Sequence, residues 1–107
     1  MMTNPDYKNY KRTNRRLLLD SHIPDWEDDF LSKFDAAAIA ENYKIAGVQS
    51  AMVYTQSHIG FCYWPVKTGD PHPALKQRDF VEELLCELGK RNISAFGYYS
   101  GIFNNRA

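Results

Sequence analysis

Apolar and polar residues recur along this chain with two different periods, and the switches between them predict a strand, helix, strand, helix, strand order. The run Arg16-Leu17-Leu18-Leu19-Asp20-Ser21-His22 is short and apolar, of the kind a parallel sheet buries on both faces, and it ends at Pro24. Residues 23–34 hold Pro24, Trp26, Phe30 and Phe34 among acids without a clean period, which predicts an irregular excursion. Asp35 then stands as N-cap to a helix whose Ala36, Ile39, Ala40, Tyr43 and Ala46 recur at three and four, with Gly47 as the left-handed residue that ends it. Ser50 to Ser57 reads as a second strand, followed by a long loop from His58 to about Pro73. A second helix is predicted from about Ala74 to Arg91, with Phe80, Val81, Leu84, Leu85 and Leu88 on one face and Glu82, Glu83, Glu87 and Lys90 on the other. Asn92 suits a left-handed terminator, and Ile93 to Tyr99 forms the third strand.

Three strands joined by two amphipathic helices make successive right-handed βαβ units, so the class is α/β and the sheet should be parallel. Such units build either an open doubly wound sheet or part of a closed barrel. No glycine-rich turn of the G-x-G-x-x-G or Walker type follows any strand, which removes the main positive sign of a nucleotide-binding sheet. At 107 residues and 44% hydrophobic content, the chain suffices for one compact domain. An ordinary eight-fold barrel takes about 250 residues. The expected division is a polar basic leader over residues 1–15 and one α/β domain over 16–107, with no internal repeat beyond the βα period.

Charge narrows the function classes. Thirteen basic side chains balance 13 acidic ones, so there is no electrostatic case for nucleic acid or a membrane surface as partner. Lys8, Lys11, Arg12, Arg15 and Arg16 are interleaved with Tyr7 and Tyr10, but no helical period organises them, and they read as a solvated leader. Leu17–Leu19 is too short for a signal region or a membrane span, so a cytoplasmic location is expected. Cys62 and Cys86 form no CxxC motif and read as small buried thiols; no cofactor is implied.

The chemistry gathers where strands end. From Tyr54 to Gly69 an apolar strand passes into a loop that combines Gln56, Ser57 and His58 with Gly60, Phe61, Tyr63 and Trp64. A sugar ring needs that mixture, because its hydroxyls take directional hydrogen bonds while its C–H faces pack on aromatic rings. In a parallel barrel the carboxyl ends of the strands would bring Asp20 and His22, then Gln56, Ser57 and His58, then Tyr98, Tyr99 and Ser100 to one mouth. Taken by themselves, His22 and His58 read first as ordinary loop histidines with backbone partners. A metal site from Asp20, His22, His58 and His72 is a weaker alternative: Asp-x-His shares a strand face, yet no further ligand stands at a recognisable distance, and no metal is assigned. Ser21, Ser57 and Ser100 lack a nucleophile-elbow context. Glycoside hydrolysis needs two carboxyl groups about 5 to 9 Å apart. Asp20 is the strand-end carboxylate, while Asp25, Glu27, Asp28 and Asp29 beside Trp26 read as a solvated acidic loop, so the catalytic residues are unknown.

Gln56-Ser-His-Ile-Gly-Phe-Cys-Tyr-Trp64, followed by Thr68-Gly-Asp70 and His72-Pro-Ala-Leu-Lys76, resembles the second-strand region of α-L-fucosidases and related glycoside hydrolases. His58 matches a histidine of that pattern, Gly60-Phe61 its Gly-Phe pair and Trp64 its tryptophan. Gln56, Ser57 and Ile59 stand where lysine, histidine and aspartate are frequent. Arg16 to His22 and Gly97-Tyr-Tyr-Ser100 resemble the first and third strands, so the likeness runs from about residue 15 to 104. It implies a partial (β/α)8 TIM barrel, the amino-terminal portion of a retaining glycoside hydrolase whose partner is carbohydrate. His22, Gln56, His58, Trp64 and Tyr98 would hold the sugar, and the catalytic carboxylates would come from outside this chain, leaving it inactive alone. A different class is the alternative: a non-catalytic, carbohydrate-binding or vestigial partial barrel that self-associates through open sheet edges. A metal-dependent hydrolase using Asp20, His22 and His58 is the weakest reading.

Overall fold

The computed structural model describes residues 12–27 and 29–106. Most of the predicted leader, and Asp28 of the acidic cluster, lie outside them. The described elements run in the order β1 (Arg16–Leu18), α1 (Ala36–Ile45), β2 (Ser50–Gln56), β3 (Phe61–Cys62), β4 (Asp70–Pro71), a 3-10 turn (Pro73–Leu75), α2 (Phe80–Lys90) and β5 (Ser94–Tyr99).

β2 is the spine of the sheet. β5 lies parallel to it from Ser50↔Ser94 to Gln56↔Tyr99, and β1 lies parallel to its start, from Arg16↔Ser50 to Leu18↔Met52. This is the predicted β1-α1-β2-α2-β5 unit, mostly parallel. The long loop is more folded than its sequence indicates, because Gly60 donates its N–H to the Ser57 carbonyl at 3.0 Å and turns the chain back at a φ of +105° that favours glycine. β3 then pairs antiparallel with β2 at Gln56↔Cys62, and β4 pairs parallel with β3.

Helix ends follow local chemistry. The Asp35 carboxylate accepts the Ala38 N–H at 3.0 Å, and Gly47, at φ +77°, ends α1 as predicted. α2 begins at Phe80, later than the predicted Ala74. Lys76 and Gln77 adopt φ of +48° and +71°, which no continuous helix admits, and Asp79 starts the helix afresh by accepting the Glu82 N–H at 2.8 Å. Asn92 takes the left-handed turn at φ +56° before β5.

The core lies between both helices and one face of the sheet. Ala40 and Tyr43 of α1 and Leu88 of α2 pack with Ala51, Val53, Ile93 and Ala95. The alanines of β2 and β5 keep that face shallow, so the helices approach closely, and burying Leu88 alone is worth about 1.5–3 kcal/mol. Arg91 ties the two helices, bonding Glu87 at 2.8 Å and Glu41 at 2.9 Å. A second cluster of Tyr54, Tyr63, Leu75 and Phe80 sits under the irregular segment, where Phe34 stacks on Phe80 at 4.1 Å.

Two expectations need correction. Leu17, Leu18 and Leu19 are 37, 47 and 51% exposed rather than buried on both faces. Among the described residues β1 pairs with β2 on one side only, and the face it shares with Met52, which is 41% exposed, meets solvent. Cys62 is buried as predicted, whereas Cys86 is only half-buried and points its thiol at Glu82 Oε1, 3.5 Å away. Among the described residues no helix is long and apolar enough to cross a membrane.

Candidate functional site

The carboxyl ends of β1, β2 and β5 meet around Tyr54. Its ring lies at 4.3 Å from the stacked ring of its register partner Tyr98, and its hydroxyl stands 3.1 Å from both Asp20 Oδ1 and His22 Nε2. The His58 N–H donates to His22 Nδ1 at 3.4 Å, so Nδ1 is the unprotonated nitrogen. His22 Nε2–H then donates to the Tyr54 oxygen, whose own proton goes to Asp20. Burial, then the bond to the Asp20 carboxylate, pushes the Tyr54 phenol up to about 12. Tyr54 therefore stays a neutral relay that fixes the tautomer and tilt of His22.

His58 completes the wall. Its ring centroid lies 4.0 Å from that of His22 at 58°, and Tyr98 meets His22 edge-on at 6.2 Å. No hydrogen bond from a described residue reaches the ring nitrogens of His58, which is only partly buried. Both nitrogens remain for a donor and an acceptor from outside.

The segment bearing His22 is held by groups that sequence patterning did not single out for this work. The Tyr63 hydroxyl donates to the Ser21 carbonyl and accepts the Ile23 N–H at 3.1 Å; burial pushes its phenol up. His72, which was grouped with the other histidines as a weak metal alternative, lies elsewhere. It is buried against Phe61, bonds the Pro24 carbonyl through Nε2 at 3.0 Å and accepts the Ala74 N–H at Nδ1. Both nitrogens are spent on backbone. No group of three or more His, Cys, Asp or Glu able to hold a metal occurs among the described residues. The signal that could have found Tyr54 and Tyr63 is their position: buried phenols need partners, and the polar segment after β1 is the nearest supply.

The five residues expected from the sequence to hold a sugar divide. His22, His58 and Tyr98 come together, while Gln56 and Trp64 line a separate cavity of about 670 Å³ at the start of α2. Asp20 is the carboxylate bonded within the histidine cluster, its side chain 74% exposed. Asp25, Glu27 and Asp29 are exposed on the irregular segment.

No family model matches the chain, and no curated protein sequence matches it. Solved structures do. α-L-fucosidase isoenzyme 2 from Paenibacillus thiaminolyticus superposes with a TM-score of 0.79 at 24% identity, covering 85% of this chain and 14% of that one. A GH29 α-L-fucosidase from Bacteroides thetaiotaomicron superposes with a TM-score of 0.60 at 30% identity, covering 66% of this chain and 16% of that one. In fold, then, the chain matches a partial-barrel segment of GH29 α-L-fucosidases and spans 14 to 16% of the length of those two enzymes.

Proposed function

We propose that this chain is a portion of a (β/α)8 glycoside hydrolase barrel of the α-L-fucosidase kind, contributing one wall of the sugar site. The observation that carries the reading is the His22–His58 pair, rings 4.0 Å apart at the ends of adjacent parallel strands, in a fold shared with two fucosidases. A neutral imidazole donates at one nitrogen and accepts at the other, which suits neighbouring sugar hydroxyls. With His22 locked by Tyr54 and Asp20, His58 offers its nitrogens to the ligand, and Tyr98 supplies an apolar ring beside them. Gln56 and Trp64 stand apart from this wall, in the separate cavity.

Retaining hydrolysis requires a nucleophile and an acid/base. Asp20 is committed to Tyr54, so the pair is supplied by other strands of the barrel, and the chain alone holds sugar without cleaving it. The exposed row Leu17–Leu19 and Met52 supports a second reading in the same frame, a partial barrel that self-associates through its open edges. Equilibrium binding of monosaccharides, with hydrolysis of aryl fucosides and galactosides measured alongside, tests the proposal. Saturable binding without turnover is expected, and turnover abolished by Asp20→Asn would place the catalytic apparatus within these residues instead.

A further inference from the structure

The cavity that takes Gln56 and Trp64 away from the histidine wall has the composition of a binding site in its own right. None of His22, His58 and Tyr98 lines it, and its volume of about 670 Å³ falls within the range of small-molecule pockets. Trp64, 38% exposed, gives it an aromatic face, and Thr68 gives it a hydroxyl. Arg106 closes one side, bonding Asp70 at 3.1 Å while its guanidinium lies 4.6 Å over the Phe61 ring. At the inner wall stands Gln56, a buried residue whose Oε1 has no hydrogen-bond partner among the described residues. An orphaned buried acceptor costs about 1–3 kcal/mol unless something satisfies it. The side chain that carries this unpartnered oxygen is one of those lining the cavity.

Charge selects among ligands. Asp70, Asp79 and Glu82 line the cavity against the single guanidinium of Arg106, and the Asp70–Arg106 pair cancels, leaving two carboxylates. Such a lining repels uronates and sulfated sugars, and its aromatic face with hydrogen-bonding groups around it fits an uncharged pyranose. We propose that this cavity is a second carbohydrate subsite, taking a neutral saccharide ring stacked on Trp64, with a hydroxyl donated to the Gln56 amide oxygen. The choice of sugar as ligand rests on the proposed function above, whereas the site itself does not depend on the histidine wall.

The test uses the full chain carrying Trp26→Phe, because Trp26 is 80% exposed and would mask the signal of Trp64. Its emission is titrated with L-fucose, D-galactose, D-glucose and lactose, and with sodium glucuronate. A saturable change in the millimolar range is expected with at least one neutral probe, about tenfold weaker with glucuronate, and unchanged in a His58→Ala background. Gln56→Leu, checked for folding by far-UV circular dichroism, should weaken it about fivefold or more; Thr68→Val, at an exposed position, serves if Gln56→Leu does not fold. No response to any neutral probe, an equal response to glucuronate, or a response that vanishes in His58→Ala would each overturn the proposal. The last outcome would place Trp64 in the histidine pocket and leave that pocket's sugar binding intact.

Discussion

Replacing Tyr54 by phenylalanine isolates the hydroxyl that organises the histidine wall. The ring and its 4.3 Å stack on Tyr98 are kept, and what disappears is one hydrogen bond to Asp20 and one to His22, both 3.1 Å. A neutral hydrogen bond contributes about 0.5–1.5 kcal/mol and one to a charged group about 1.5–3 kcal/mol. Asp20 is 74% exposed and returns to water when released, so solvent screening cuts its bond to about 0.5 kcal/mol. The expected loss is therefore about 1–2 kcal/mol, measured as a lower urea midpoint at unchanged slope. The alkaline limb should change as well. A phenol whose folded pKa lies at about 12, above its ordinary value of 10.0, keeps its proton in the folded chain while the unfolded chain loses it. Stability from this group is thus complete below pH about 10 and is lost as pH rises through about 12. Tyr43 and Tyr63, both pushed up by burial, leave part of that slope in Tyr54→Phe, but it should be shallower than in the parent. An unchanged urea midpoint together with an unchanged alkaline slope would refute the relay from His22 through Tyr54 to Asp20.

Leu88→Ala should cost about 2.7–5.0 kcal/mol in chemical denaturation, since Leu88 is fully buried between the helices and the sheet. Asp79→Ala should cost about 1 kcal/mol and lower helicity by circular dichroism, because the Glu82 N–H loses its cap. Gly60→Ala should destabilise by about 1–3 kcal/mol in the same denaturation assay, because a φ of +105° admits glycine and an added Cβ would lie 2.6 Å from the Arg106 side chain. The parent chain should show no hydrolysis of aryl fucosides above background in a chromogenic assay.

The parallel strands, both ends of α1 and the end of α2 were legible because each rests on a short local pattern: Asp35 with Gly47, Asn92, and the apolar stripe from Phe80 to Leu88. The start of α2 was misplaced because His72-Pro73-Ala74 looks helical in composition, while the decision falls on the left-handed Lys76 and Gln77, which carry no mark in their side chains. β3 escaped for a similar reason, its two residues being fixed by a turn at Gly60 and by partners on β2. The exposure of Leu17–Leu19 was invisible to an apolar run, which tells that a strand wants covering without telling what covers it. At the site, His22 and His58 were legible as strand-end residues near one another. The separation of Trp64 from them was not, because it depends on the path of the chain from Phe61 to Trp64 rather than on any residue's type.

The most direct measurement of the central claim is the NMR spectrum of the histidine imidazoles, assigned with His22→Gln and His58→Gln, while L-fucose or D-galactose is added. The account predicts saturable shifts at His58 and His22, with His72 unmoved in its buried place under Pro24, and binding weakened by about 1–3 kcal/mol in His58→Ala through the lost hydrogen bonds. Imidazole signals that stay fixed with both sugars, in a chain shown by its dispersed amide spectrum to be folded, would contradict it.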